Sequence, residues 1–412
     1  MGSILGNFAL ASQIRRHQQK TAIFALGILF NLGILGYFKY TNFLLENLNF
    51  ISGDSYTPLS IALPLAISFY TFQQIAFLAD TKNEEVGVVS FRDYLLFVTF
   101  FPQLIIGPIV HHKEMMPQFS MANFGRFNWQ NFQTGFLYLM IGVIKKVFLS
   151  DACALVVNSV HGDIGNGVSI GFADAWVAAF AFSLQIYVDF SGYTDMAVGI
   201  AKMLGIDLPF NFNSPYKARN VGEFWRRWHM TLSRWLRDYL YIPLGGNHSG
   251  FKRAAINAVI VFLLGGLWHG AAWTFIAWGL MQGIGVVWAH LMKSLKIGLP
   301  TSMGILFTFI FITLSWVLFR AQNMEGAWNL YQVMGGVQGF DLTLRDSVNL
   351  PVMAIGAVII FGLPNSHIFV PWLQTRIANL PTAPVVVVML VSWLALAAFD
   401  LDSSAAFIYF DF

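Results

Sequence analysis

The chain returns repeatedly to apolar runs close to the length of a bilayer's hydrocarbon core. Thr21 to Tyr40, Asn131 to Val157, Val168 to Gly205 and Ala271 to Met292 are such runs, and a helix of ~20 residues spans that core. Charged residues make up 11% of the chain and hydrophobic ones 56%, with a mean hydropathy of +0.61. Soluble domains carry about 25% charged residues, so a water-facing surface of this size could not be solvated. The reading that remains is an all-α, polytopic integral membrane protein. The single cysteine, Cys153, excludes an internal disulfide framework and a cysteine-rich metal site. The net charge is only +3. The cations are bunched among membrane segments with no recognition module beside them, which argues against nucleic acid as a partner.

Taken in order, the polar start of the chain ends in Arg15, Arg16, His17 and Lys20, which places the extreme N-terminus in the cytoplasm. The apolar run after it continues through GYFKYTNF without a small-residue cleavage site, predicting an uncleaved membrane helix rather than a signal peptide. A second candidate span, Pro58 to Leu78, is interrupted near Pro64. A third, Phe91 to Val110, contains Pro102, Gly107 and Pro108. Unpaired backbone at membrane depth is tolerated only against protein or a wet cavity, so a bent or re-entrant segment is expected there. Asn131 to Val157 reads as one long helix whose Lys145 and Lys146 snorkel to an interface. Val168 to Gly205 holds Asp189 and Asp195 in apolar surroundings, and intramembrane acids are rarely idle.

Ala254 to Leu267 is too short to cross perpendicular to the bilayer. Met303 to Phe319, Pro351 to Leu363 and Pro384 to Phe399 complete about nine or ten spans, several short enough to imply tilt, broken helices or thinned bilayer. The tail, FDLDSSAAFIYFDF, lacks Lys and Arg and is expected outside. With no internal repeat or soluble insertion, residues 1–412 read as a single membrane domain.

Against this oily background, residues 211–273 stand apart. Lys217, Arg219, Arg226, Arg227, Arg234, Arg237, Lys252 and Arg253 crowd around His229 and His269. Such density beside membrane segments is costly and usually functional. Val221 to Tyr241 reads as one amphipathic helix, with Glu223–Arg227 and Arg234–Asp238 as i,i+4 pairs. At helical spacing His229 shares a face with Trp225, Arg226, Leu232 and Ser233. The arginines fit two roles: anchors to phosphate head groups, or holders of the phosphates on a coenzyme A thioester donor. Both stay open. The candidate substrate and donor contacts are accordingly Arg226, Arg227, Arg234 and Arg237, with Trp268 and Asp189 beside them.

His269 lies in GGLWHGAAW, flanked by Gly265, Gly266 and Gly270, with Trp268 and Trp273 close by. An imidazole in an apolar, glycine-lined position can take a proton from a hydroxyl as that hydroxyl attacks a carbonyl. The alternative is a core histidine bonded to a carbonyl; the glycines and the second histidine favour catalysis by His269 and His229. No HExxH, cysteine cluster or acidic ligand set points to a metal, and no GxSxG elbow is present. His111 and His112 face different ways and are expected at an interface. Ser191 has no base nearby in sequence, and Asp189 with Tyr193 is expected either to shape a cavity or simply to bind helix to helix.

Several blocks carry a resemblance. They are NLGILGYFKYTNF, LPLAISFYTFQQIAFLAD, FFPQLIIGPIV, YVDFSGYTDMAVGIAKMLGI, EFWRRWHMTLSRWLRDYLYIPLGGN, GGLWHGAAWTFIAWG, WVLFRAQN and the final FIYFDF. Together they resemble the membrane-bound O-acyltransferase (MBOAT) family, in its branch that O-acetylates exported polysaccharide such as alginate. The resemblance implies a helical bundle with broken or re-entrant helices around a central funnel. It implies His269 as the family's active-site histidine and His229 as the second motif histidine beside the tunnel. No bound cofactor is implied; acetyl-CoA is the implied donor. Membrane lipids, an exported polysaccharide and a periplasmic acetyl-transfer protein are the implied partners, and a bacterial inner membrane the implied location. D-alanyl or lipid O-acyl transfer is the alternative chemistry. A non-catalytic transporter or scaffold of a polymer-export complex is the alternative class, for which Asp189, Asp195 and broken helices are also suited. The family pattern places more hydrophobic helices ahead of Asn31 to Phe43 than this chain has, so a naturally short member or a truncated start is expected.

Overall fold

The computed structural model describes all residues except 106, 122–123, 249, 346–347, 378–381, 398–406 and 409–412. Among the described residues the regular structure is helical throughout, with no strand. Helix α1 (Gly2–Arg16) leads to α2 (Lys20–Leu35), which passes through a π-turn (Gly36–Tyr40) into α3 (Thr41–Ser52). This run, Lys20–Ser52, forms one 33-residue candidate span. Asn7 and Asn31 exchange amide hydrogen bonds of 3.0 and 2.6 Å between α1 and α2, so two buried polar side chains satisfy each other. Residues 53–66 are irregular, and α4 (Ile67–Lys82) starts only after Pro58 and Pro64. The proline-rich third segment is broken as expected: α5 (Phe91–Thr99) stops at an extended Phe100, and α6 (Phe101–Leu104) carries Pro102. Helix α7 (His112–Phe119) follows.

Helix α8 (Trp129–Ile144) continues through a π-turn (Lys145–Ser150) into α9 (Asp151–Gly165). The longest helix is α10 (Phe172–Met203), 32 residues or about 48 Å. Helices α8 and α10 touch backbone to backbone. A Cβ on Gly135 would sit 2.4 Å from the Gly199 carbonyl oxygen, and one on Gly142 2.4 Å from that of Gly192. Small residues at such crossings replace the hydrophobic drive that lipid removes.

Lys145 and Lys146 do not snorkel. Both turn inward at the π-turn: Lys145 Nζ lies 2.7 Å from Asp195, and Lys146 Nζ 3.0 Å from Asp189 and 2.9 Å from Asp151. The buried carboxylates on α10 supply the reason, since each needs a counter-charge at that depth.

The polar stretch then forms α11 (Val221–Trp225) and α12 (Met230–Leu236), with a π-turn (Arg237–Tyr241) after them. Helices α13 (Gly250–His269), α14 (Trp273–Ser294), α15 (Thr301–Arg320) and α16 (Met324–Met334) follow. Helix α17 (Leu350–Gly362) meets α18 (Ser366–Ile377) at a bend of 81°, and α19 (Thr382–Ala397) comes last. Helix α13 is 20 residues long, not the short segment expected, because it takes in Lys252 and Arg253 at one end and His269 at the other. Among the described residues four helices are long and apolar enough to cross a membrane, or five with the bent α17–α18 pair. The nine or ten spans expected from sequence also include runs that are broken, short or interrupted by buried charge, which this length and composition count leaves out. The expectation for the tail falls mostly outside the described residues. Phe407 and Ile408 are described: the Ile408 N–H donates to Asp189 at 2.8 Å, and Lys146 Nζ lies 4.9 Å from the Phe407 ring centre.

Among the described residues the buried apolar side chains gather into three clusters. One is built on α10, α14 and α15, a second on α4, α5 and α7, and a third on α4, α12 and α13. The seam between the first and third positions the site.

Candidate active site

His269 is the last residue of α13 and is buried. Its ring is met edge-on by Trp268 at 4.9 Å, Trp278 at 5.2 Å and Phe319 at 5.2 Å. Trp268 belongs to the third cluster, and Trp278 and Phe319 to the first. The Trp268 indole lies 4.9 Å from Phe72, which stacks on Trp235 at 3.7 Å, so an aromatic column ties α13 to α4 and α12. On the other side Trp278 stacks on Trp316 at 5.7 Å, and Trp316 lies 5.1 Å from Trp228. The next residue in the chain is His229, within electrostatic reach of His269.

The single helix expected over Val221 to Tyr241 is interrupted between Trp225 and Met230. Residues 211–213 run beside the break, with Asn213 N–H donating to the Arg227 carbonyl and Met230 N–H to that of Asn211, both at 2.9 Å. His229 absorbs the reversal in the left-handed region, at φ 41°. For a side chain without glycine's freedom this strain costs on the order of 1–3 kcal/mol and clusters at functional sites. His229 therefore does not share a helical face with Ser233 and Leu232. Its ring is fully buried, perpendicular to Phe190 at 4.8 Å, with Nδ1 3.3 Å from Asn211 Oδ1.

That oxygen also accepts from the Thr231 hydroxyl at 2.5 Å and from its N–H at 3.4 Å. An amide oxygen only accepts, so Nδ1 of His229 carries the proton and Nε2 presents a lone pair. Among the described residues Nε2 is enclosed without a hydrogen-bond partner.

The arginines divide. Arg227 pairs with Glu223 at 2.8 Å, the i,i+4 pair expected from the sequence. Burial pushes the Glu223 carboxyl up, but hydrogen bonds from Arg219 and Arg227 outweigh it and hold the group below the usual range. The expected Arg234–Asp238 pair is replaced. Arg234 forks onto Glu114 of α7, at 2.5 and 2.8 Å, and Asp238 takes Arg237 at 2.7 Å. Bidentate geometry and a partner from another helix favour the former over a same-helix contact. Arg226 and Arg237 are exposed.

Asp189 lies in the α8–α10 framework, with its oxygens engaged by Lys146, Ser150 and Ile408. His111 and His112, expected at an interface, are buried within the protein: Tyr239 donates to Asp80 at 2.8 Å and meets His111 at 3.1 Å, and His112 faces Asp80 at 3.1 Å. No group of three His, Cys, Asp or Glu side chains converges as a metal site among the described residues.

Sequence reasoning missed Asn211, Trp278 and Phe319, whose partners lie far along the chain. It also missed Lys39, which does carry a signal: it is the one charged residue between Lys20 and Glu46. Lys39 Nζ reaches the carbonyls of Trp268 and His269.

Comparison with known proteins gives these geometries a context. The family model of membrane-bound O-acyltransferases matches residues 78–328, a range that includes both site histidines. A peptidoglycan O-acetyltransferase from Helicobacter pylori is 44% identical over 377 residues, covering 83% of this chain and 70% of the relative. A probable alginate O-acetylase from Azotobacter vinelandii is 37% identical over 354 residues, covering 84% and 69%. A teichoic acid D-alanyltransferase from Streptococcus thermophilus is 26% identical over 286 residues, covering 62% and 68%.

Proposed function

Because this chain belongs to the membrane-bound O-acyltransferase family, we propose that it transfers an acetyl group from cytoplasmic acetyl-CoA towards a sugar hydroxyl of an exported polymer. That it is a multi-pass membrane O-acyltransferase follows from the family and the apolar helices; the acetyl group, donor, acceptor and residue roles are the proposal. The observation that carries it is His269, buried at a helix end, walled by aromatic rings and within electrostatic reach of a second histidine whose Nε2 has no hydrogen-bond partner among the described residues.

In this reading a ring nitrogen of His269 takes the proton of the acceptor hydroxyl while its oxygen attacks the thioester carbonyl. The C–O bond forms, the C–S bond breaks, and the proton passes to the leaving thiolate. His229 Nε2 accepts a hydrogen bond from a neighbouring hydroxyl of the sugar acceptor and so orients it. The Trp278 indole N–H is buried without an acceptor among the described residues, and its ring abuts His269. It is the available donor for the developing oxyanion. The aromatic walls, Trp268 among them, exclude water that would hydrolyse the donor.

Exposed Arg226 and Arg237 take the donor's phosphates or lipid head groups, while Arg227 and Arg234 hold the backbone that presents His229. Asp189 we assign to the framework, because its oxygens are already engaged. Acetyl is favoured over D-alanyl because the relatives named as O-acetylating enzymes are the more similar. The polymers in their names, alginate and peptidoglycan, define the acceptor class to test, with an external acetyl-transfer protein as the intermediary.

The test is to express the wild type, His269→Ala and His269→Gln at matched membrane abundance in a host lacking its own copy. Ester-linked acetate is then measured separately on exported polysaccharide and on peptidoglycan. Both variants should lose at least about 100-fold in acetate delivery. Equal acetate from His269→Ala removes His269 from the chemistry, and the fraction that gains acetate with wild type identifies the acceptor.

A further inference from the structure

We infer that Lys39 and Tyr40 are positioning residues for His269, acting through the last turn of α13; the inference rests on the catalytic reading of that histidine. Helix α13 ends at His269, so its final carbonyls lack the N–H groups that a continuing helix would offer. Gly270 N–H turns back, reaching the Gly266 carbonyl at 3.4 Å. At membrane depth such carbonyls need protein donors. They receive them from a segment more than two hundred residues earlier. Tyr40 OH donates to the Leu267 carbonyl at 2.8 Å, and Lys39 Nζ to those of Trp268 at 2.6 Å and His269 at 2.9 Å. Three consecutive carbonyls are thus held from one side.

Both donors stand on the π-turn Gly36–Tyr40 between α2 and α3. A π-turn inserts extra backbone into a helix, re-aiming neighbouring side chains, and such turns recur at functional sites. Ser68 near the start of α4 completes the clamp: its hydroxyl lies 3.4 Å from Lys39 Nζ, and its carbonyl accepts from the Trp268 indole at 3.3 Å. All three ammonium protons of Lys39 therefore have acceptors. That leaves none for a substrate, which makes Lys39 a positioning group rather than a catalytic one. The cation also complements the negative end of the α13 dipole. Rotation of the last turn, which would swing the His269 ring between Trp268 and Trp278, breaks these bonds together.

The experiment compares wild type, Lys39→Met, Lys39→Arg, Tyr40→Phe and His269→Ala in membranes, with acetyl-CoA as donor and polymer acetate as readout. Lys39→Met should lower kcat about 10- to 100-fold, the cost of a small misplacement. Its KM for acetyl-CoA should stay within about two-fold, the mark of an interaction felt in the transition state. Lys39→Arg should recover much of kcat, and Lys39→Met added to His269→Ala should cause no further loss. Where Lys39→Met fails to accumulate, Tyr40→Phe carries the test, with about a 3- to 10-fold fall in kcat. Wild-type kcat in Lys39→Met or Tyr40→Phe, beside an inactive His269→Ala, overturns the clamp alone. Full activity in His269→Ala overturns the catalytic reading on which it stands.

Discussion

Asn211 decides which nitrogen of His229 carries the proton. Its Oδ1 accepts from His229 Nδ1 and from Thr231, so it fixes the tautomer and positions a ring already strained at φ 41°. Asn211→Ala strips an acceptor from buried donors, each costing about 1–3 kcal/mol when unpaired, and frees the ring to turn. Activity should fall about 10- to 100-fold, whereas Asn211→Asp, which keeps an oxygen in place, should retain more of it. Acetate delivery and thermal midpoint measured on both variants check this; an Asn211→Ala enzyme as active as wild type removes the tautomer argument. His269 stood out in the sequence as a candidate because glycines and tryptophans flank it locally. Asn211 did not, because nothing in NFN announces a partner eighteen residues on. Lys39 lies between these cases: its isolation in an apolar run was visible, but the helix end it reaches was not.

At the scale of elements, the same substitution has opposite consequences according to what faces it. A Cβ on Gly142 would meet the Gly192 carbonyl oxygen at 2.4 Å, and backbone at a helix crossing cannot step aside. Gly142→Ala should push α8 from α10 and cost about 1–3 kcal/mol, seen as a lower thermal midpoint in detergent. Gly162, exposed on α9, has nothing within 4 Å. Gly162→Ala should raise the midpoint, by roughly the 1 kcal/mol of helix propensity that glycine forfeits. A stable Gly142→Ala protein would mean that the crossing yields. Periodicity and proline placement made most helices and the breaks around Pro64 and Pro102 legible. They failed at Val221 to Tyr241, whose helical pattern is overridden by hydrogen bonds from residues 211–213. They failed again at Ala254 to Leu267, where hydropathy ends before the helix does.

Across the whole molecule, the paired lysines of the α8–α9 π-turn connect the central bundle to the end of the chain. Asp195 takes Lys145 at 2.7 Å and the Ser366 hydroxyl at 2.6 Å at the start of α18. Asp189 takes Lys146 and the Ile408 N–H. Composition alone placed this chain in a membrane and put acids inside it, but it could not say whether they carry ions or hold helices. A proton or cation relay needs carboxylates that exchange partners, while a framework needs them neutralised and fixed. Lys145→Met leaves the Asp195 carboxylate buried and unpaired, which costs about 3–5 kcal/mol. Adding Asp195→Asn removes that charge, so stability and acetate delivery should both return most of the way. Thermal midpoints and polymer acetate for the two singles and the double complete the cycle. If the double stays inactive while folding as well as wild type, Asp195 has a chemical role, and an ion-coupled step regains support. Recovery in the double identifies the charge pair as internal scaffolding, replaceable by neutral groups and separate from the chemistry proposed at His269.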